Sequence, residues 1–100
     1  MTSKEYRDFA VEQMGLLDGI MTKPMMGEFL LYWQGKYFGG IYDDRVLVKK
    51  TRTNESFGMP EAIPYAGAKA MYQVNIDNRD EVAEVIKATC MADLGADRHR

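Results

Sequence analysis

The chain has 100 residues, the length of one domain rather than two, and a domain of that size can close a compact core without metal or disulfide staples. With 46% apolar and 28% charged residues it has the composition of an ordinary folded globule. The formal charge of −2 and sequence pI near 5.3 argue against a dedicated nucleic-acid binder, which carries a basic face, so no specific DNA binding by the isolated chain is expected.

Helical spacing opens the chain. Thr2 followed by Glu5 is a capping-box pattern, with Ser3 as the alternative cap. Tyr6, Phe9, Ala10, Gln13, Met14 and Leu17 then fall on one largely apolar stripe, and Asp18-Gly19 is the expected stop. The segment before the stripe lacks the apolar run of a signal peptide.

From Ile20 the period changes. Ile20 to Met26 reads as a first strand that Pro24 confines to an edge or a bulge. Glu28 to Trp33 and Lys36 to Tyr42 are rich in aromatic and branched residues, and Gln34-Gly35 between them has the spacing of a two-residue hairpin turn. Asp43-Asp44-Arg45 forms the next turn and Val46-Leu47-Val48 a further strand. Phe29 to Trp33, the longest strongly apolar run, is far short of a membrane span, so a cytoplasmic protein with no membrane partner is expected.

Thr51 to Lys69 is the least regular stretch, broken by Pro60 and Pro64, with a short helical turn expected near Asn54 to Phe57. Ala70 to Ile76 reads as one more strand. Asn78 with Glu81 caps a C-terminal helix whose buried stripe is Val82, Val85, Ile86, Thr89 and Cys90; Gly95 is its expected stop, with residues 96–100 as a flexible tail. The expected class is α+β in two layers, an antiparallel β-meander flanked by N- and C-terminal helices, making a single domain over residues 1–100.

Residues with catalytic capacity are sparse. His99, the one histidine, is penultimate in a charged tail, and Cys90, the one cysteine, falls on the apolar face of a helix, where a thiol behaves as a small hydrophobe. Zinc would need more Cys and His ligands than these two. Asp77, Asp80 and Glu81 lack EF-hand spacing and read as charge at a helix N-terminus, while Asp43-Asp44 reads as a turn pair. Gly39-Gly40 lies inside a strand, which makes it a bulge or a site of close packing rather than a phosphate cradle. Gln34 to Tyr42 interleaves aromatics but departs from the RNA-recognition order, because its lysine follows the glycine and Gly39 displaces the second aromatic. Lys49, Lys50 and Arg52 form a local basic patch, read as a solvated strand-end feature. Met25, Met26, Met59 and Met71 are read as core gap-fillers, with an adaptable binding surface as the other use of methionine. No catalytic, cofactor-binding or metal-binding residue is assigned.

Met25-Met26-Gly27 before an aromatic strand, Gly35 in the hairpin turn, the run Ile41 to Lys49, and Pro64-Tyr65-Ala66-Gly67-Ala68-Lys69 together resemble the N-terminal domain of the TfoX/Sxy family, over about Ser3 to Met91. Members often carry Met-Phe-Gly at the first motif, where this chain has Met26. The resemblance implies helices packed on one antiparallel sheet, no enzymatic activity, no cofactor, and a role in regulating competence or transcription through a protein partner. A direct DNA-binding transcription factor is the alternative, and a small-molecule sensor with a pocket between sheet and helices a third.

If Gln34-Gly35 is a two-residue turn, Leu31 pairs with Phe38 on one sheet face and Tyr32 with Tyr37 on the other. Two helices cover one face and leave the second. An exposed aromatic face marks an interaction surface, and a symmetric homodimer buries it at least structural expense. Tyr32 and Tyr37 are therefore the candidate interface residues, unless the loop from Thr51 to Lys69 closes over this face with Tyr65 inward.

Overall fold

The computed structural model describes residues 1–98 of the chain, with side chains through residue 92. It runs α1 (Lys4–Gln13), β1 (Ile20–Met25), β2 (Glu28–Trp33), β3 (Lys36–Ile41), β4 (Val46–Val48), a 3₁₀ turn (Glu55–Phe57), β5 (Glu61–Ala62), β6 (Met71–Gln73) and α2 (Arg79–Arg98). All strand pairings are antiparallel, in the order β1-β2-β3-β4-β6-β5, and the class is α+β as expected.

Three consecutive reversals rest on left-handed residue pairs. Met26-Gly27 joins β1 to β2, Gln34-Gly35 joins β2 to β3, and Asp43-Asp44 joins β3 to β4, with φ of 51° and 85°, 50° and 82°, 54° and 57°. Positive φ at both central residues matches the right-handed twist of paired strands, so each turn drives a tight hairpin. Met26 therefore belongs to a turn and β1 stops at Met25. Pro24 sits in β1, the sheet edge, as expected.

The register departs from expectation at one place. Tyr32 opposes Tyr37, but Leu31 opposes Gly39, so Phe38 is the extra residue of a β-bulge. Both Leu31 and Phe38 still face the helices, each fully buried. Gly39 is required there because a Cβ would collide with the Leu47 carbonyl and the Val48 backbone of β4.

Alternate positions of the sheet meet the helices and form the main core: Phe29, Leu31, Phe38, Ile41, Val46 and Val48 against Ala10 of α1, Met14 at its C-cap, and Val82, Val85, Ile86 and Cys90 of α2. The α2 stripe is as expected. The α1 stripe is narrower, with Phe9 left 39% exposed beside Tyr6. Ser3 rather than Thr2 caps α1, its Oγ accepting the Tyr6 N–H at 3.0 Å. Thr2 instead ties the chain start to two turns: its Oγ1 lies 2.7 Å from Glu28 Oε1 and accepts the Asp44 N–H.

α1 also ends early, at Gln13, before the expected Asp18-Gly19. Arg79 donates to the Glu12 carbonyl at 3.3 Å, and a Cβ on Gly15 would stand 3.0 Å from that guanidinium, so glycine leaves room for a cap supplied from α2. α2 begins as expected, with Asn78 Oδ1 accepting the Glu81 N–H. It passes the expected stop at Gly95 and continues to Arg98. A mid-helix glycine costs only about 1 kcal/mol, and Ala92, Leu94 and Ala96 around it are strong helix formers. Residues 96–98 of the expected tail are thus helical backbone, while His99 and Arg100 lie outside the described residues.

The irregular stretch holds the expected 3₁₀ turn and an unexpected two-residue strand, β5, which pairs with β6. Asn54, fully buried, organises it: Nδ2 donates to the Lys49 carbonyl and to Thr89 Oγ1, and Oδ1 accepts the Thr51 N–H. Thr53 Oγ1 adds a 2.6 Å bond to the Ala88 carbonyl, so the stretch is fastened to α2.

Candidate interaction surface and adjoining pocket

The sheet face turned away from the helices divides into an open strip and a covered half. In the open strip the register aligns Met21, Tyr32 and Tyr37 across three strands, with Leu30 in the next row. Tyr32 and Tyr37, the two expected interface residues, stand edge to face with ring centroids 5.9 Å apart. Both are half-buried, as is Leu30, while Met21 is 64% exposed.

Tyr42 builds the covered half. Its ring folds back over Gly40, where a Cβ would lie 2.6 Å from Tyr42 Cε2, and beneath it Leu47 is fully buried. Met71, with Met25 and Ala62 at the margin, completes a second small core on this face. The Gly39-Gly40 pair thus serves both sheet faces. Gly39 admits the backbone of β4, and Gly40 admits an aromatic ring. The close-packing reading of the pair holds.

The connection from β5 to β6, residues 63–70, returns across the edge of this half. Pro64 is buried, Arg45 donates to the Ile63 carbonyl at 3.2 Å, and Tyr65 packs on Tyr42 with centroids 6.1 Å apart. Tyr65 is nevertheless 59% exposed, so the loop closes over the Tyr42 half; Tyr37 stands at its border and Tyr32 lies outside the space it encloses. Between loop and sheet is a concavity of about 480 Å³, walled by Tyr37, Tyr42, Tyr65, Lys49, Lys50 and Lys69, with Met71 among its apolar lining. It lies on the face opposite the helices, not between sheet and helices.

Among the described residues its charged lining is lysine: Lys49, Lys50 and Lys69. The Lys49 ammonium stands 5.5 Å from the Tyr37 ring centroid, a cation–π contact that holds the charge at the wall. Lys50 is engaged at 2.8 Å by Glu61, which raises its pKa chiefly through that hydrogen bond. Burial raises the Tyr42 phenol far above its ordinary value, with Tyr37 (by charge and hydrogen bond), Tyr65 and Glu28 adding to the shift. Tyr42 therefore stays a neutral hydroxyl.

Lys49 and Lys50 were legible as a basic patch, but their association with Lys69, Tyr42 and Tyr65 was not. Pro64 to Lys69 stands out in the sequence as a motif, yet no local rule says that it folds back against β3 and β4. Arg52, the third member of the patch, is exposed and does not line the concavity. The methionines divide: Met59 joins the main core, Met25 and Met71 the second, and Met26 is 96% exposed at its turn. Among the described residues no group of three or more His, Cys, Asp or Glu side chains converges as a metal site, and no helix is long and apolar enough to cross a membrane. Asp43 and Asp44 act as the expected turn pair, Asp44 also accepting the Ser3 N–H at 3.1 Å.

These features define a small α+β domain with an antiparallel sheet, both helices on one face, and an aromatic and basic second face. No family model matches the chain. It is 30% identical over 95 residues to an uncharacterized 12.7 kDa protein in the trpE 5′ region of Spirochaeta aurantia, a match that takes in 91% of this chain and 83% of that protein. The chain belongs to the family of that spirochaete protein.

Proposed function

We propose that the chain is a non-enzymatic, cytoplasmic regulatory domain that works by protein–protein contact in transcription regulation, as its resemblance to the TfoX/Sxy N-terminal domain implies. The observation that carries this reading is the open strip of Met21, Leu30, Tyr32 and Tyr37, an aromatic surface on the sheet that shares a concavity with the 63–70 loop only at Tyr37. Aromatic residues and methionine are enriched at protein contacts, and tyrosine contributes large area at small entropic cost.

The first partner in this reading is a second copy of the chain. A self-complementary strip serves both subunits at once, and β-sheet faces pack at about 10 Å with interdigitating side chains. Light scattering over a concentration series tests it. A dimer at tens of micromolar that Tyr37→Glu converts to a monomer is the expected result. A chain monomeric throughout the series overturns the homodimer. Sequence-selective retardation of duplex DNA at submicromolar protein, weakening with salt, replaces the whole reading with the DNA-binding alternative.

A further inference from the structure

We propose that the Met26-Gly27 turn between β1 and β2 is a second contact surface, which seats the Met26 side chain in an apolar pocket rimmed by Lys or Arg on a different protein. The surface is separate from the open strip, and the proposal does not depend on self-association.

Four residues other than glycine hold a positive φ among the described residues: Met26, Gln34, Asp43 and Asp44. Three of them are polar, and polar side chains such as Asp are the ones that relieve this conformation by local hydrogen bonds. Met26 has an apolar side chain, and with 96% of it exposed no packing inside the subunit offsets the steric cost. A two-residue turn of this kind prefers asparagine at that position. Backbone outliers cluster at functional sites, and an observed outlier is a sound starting point for inferring one. The methionine is therefore assigned to a contact outside the subunit.

Met26 is the most exposed large hydrophobic side chain among the described residues. Met1, 86% exposed, lies against the same turn, where a Cβ on Gly27 would stand 3.1 Å from Met1 Cγ. The hairpin tip thus presents two unbranched thioether side chains to the outside. Methionine adapts to irregular apolar surfaces and is enriched at protein contacts. Met21 of the open strip lies five residues back, about 17 Å along β1, so the tip and the strip can meet different partners.

The surroundings of the tip set the charge of the partner's rim. Glu28 follows the turn and draws the Asp43-Asp44 turn beside it: Glu28 Oε1 accepts the Asp43 N–H at 3.0 Å, and Thr2 Oγ1 joins Glu28 to the Asp44 N–H. The Met1 α-ammonium stands 3.5 Å from both Glu28 and Asp43, so one cation is set among three carboxylates. The Asp44 carboxylate accepts the Ser3 N–H, a neutral donor that leaves its charge in place. With all of these contacts made, the excess at the tip is still negative. A basic rim complements it, and complementary rims govern specificity and association rate.

The test places a diazirine amino acid at position 26 of the full chain in its native cells, and separately at position 91, where Met91 is 56% exposed on α2. A discrete adduct with a different protein is expected from position 26 and not from position 91. That protein is then purified and its affinity for the unmodified chain measured. Met26→Asn should weaken binding at least tenfold while the thermal midpoint of the chain does not fall, and Met26→Leu should stay within twofold of the wild type. Asp43→Asn should weaken binding at least threefold at low ionic strength and less at high. Tyr37→Glu should leave this affinity unchanged, which keeps the result independent of any dimer. The proposal is overturned if position 26 gives no adduct beyond those of position 91, or if the adduct is a second copy of the chain. It is overturned equally if the purified protein binds Met26→Asn as tightly as the wild type, or if phosphatidylcholine vesicles retain the chain through Met26 instead.

Discussion

At the residue scale, the protein spends its few buried polar groups on fastening irregular backbone. Asn54 satisfies the Lys49 carbonyl, the Thr51 N–H and the Thr89 hydroxyl from within the core. Asn54→Ala strands those partners, and at about 1–3 kcal/mol per buried unsatisfied group the expected loss is about 3 kcal/mol in chemical denaturation. Thr89→Val should cost less, about 1 kcal/mol, because Asn54 Nδ2 keeps the Lys49 carbonyl. Equal losses in the two variants would remove Asn54 from this organising position. Tyr42 has a different signature. Its phenol is raised above the ordinary 10.0, so the folded chain holds the proton after the unfolded chain has begun to release it. The stability tied to that proton is complete below pH 10.0 and drains away as the pH climbs above it. Tyr42→Phe lacks the ionisation altogether. The wild type should lead the variant by about 1 kcal/mol near pH 8, the worth of one hydrogen bond. That lead should shrink on moving toward pH 11, in urea melts of the two proteins. A lead that is constant with pH would contradict the buried phenol.

At the element scale, the left-handed turns and the glycine pair control the sheet. Met26 holds a φ of 51° while its side chain is 96% exposed, so it bears the steric cost of that conformation without a packing return. Met26→Asn creates an Asn-Gly turn, the favoured type for a two-residue hairpin, and should stabilise by about 0.5–1 kcal/mol in thermal melts. A loss of stability would mean that Met26 packs in solution. Gly39→Ala acts in the opposite direction. The added carbon meets backbone of β4 rather than a movable side chain, so the strands must separate. A loss of about 3 kcal/mol or more is expected, beyond ordinary overpacking, with amide protection lost first in β4 and β6. Gly35→Ala, where a Cβ meets nothing within 4 Å, should cost only the price of positive φ, about 1 kcal/mol.

At the scale of the whole molecule, the arrangement leaves one sheet face to the helices and divides the other. The main core lies under α1 and α2, and a second, smaller one lies under Tyr42. The open strip and the tyrosine-lysine concavity are neighbours on that divided face, with Tyr37 at their common border. Tyr37→Glu places a charge in the strip and should abolish self-association; Tyr65→Ala, at the far wall, should leave the mass unchanged. Light scattering on both variants separates the two regions. If Tyr65→Ala also changes the mass, the contact surface extends over the loop.

What the sequence alone determined are the features governed by neighbours in the chain. The period of apolar residues placed α1, the hairpins and α2, because helix and strand each impose their own repeat on the buried face. Asn78 marked the start of α2, and Gln34-Gly35 the tight turn, because caps and turns are local chemistry. Tyr32 opposite Tyr37 followed from counting back from that turn. The count failed one step later, at Leu31, since the bulge at Phe38 depends on β4 passing against Gly39. The early end of α1 depends on Arg79, 67 residues away in sequence from Glu12, and β5 exists only because β6 is there to pair with it. The concavity is of the same kind. Its lysines and tyrosines are drawn from β3, the residues after β4 and the 63–70 loop, and only the closure of that loop over Tyr42 brings them together. Long-range approach is decided by the packing of the complete chain, and no short window of sequence contains both partners.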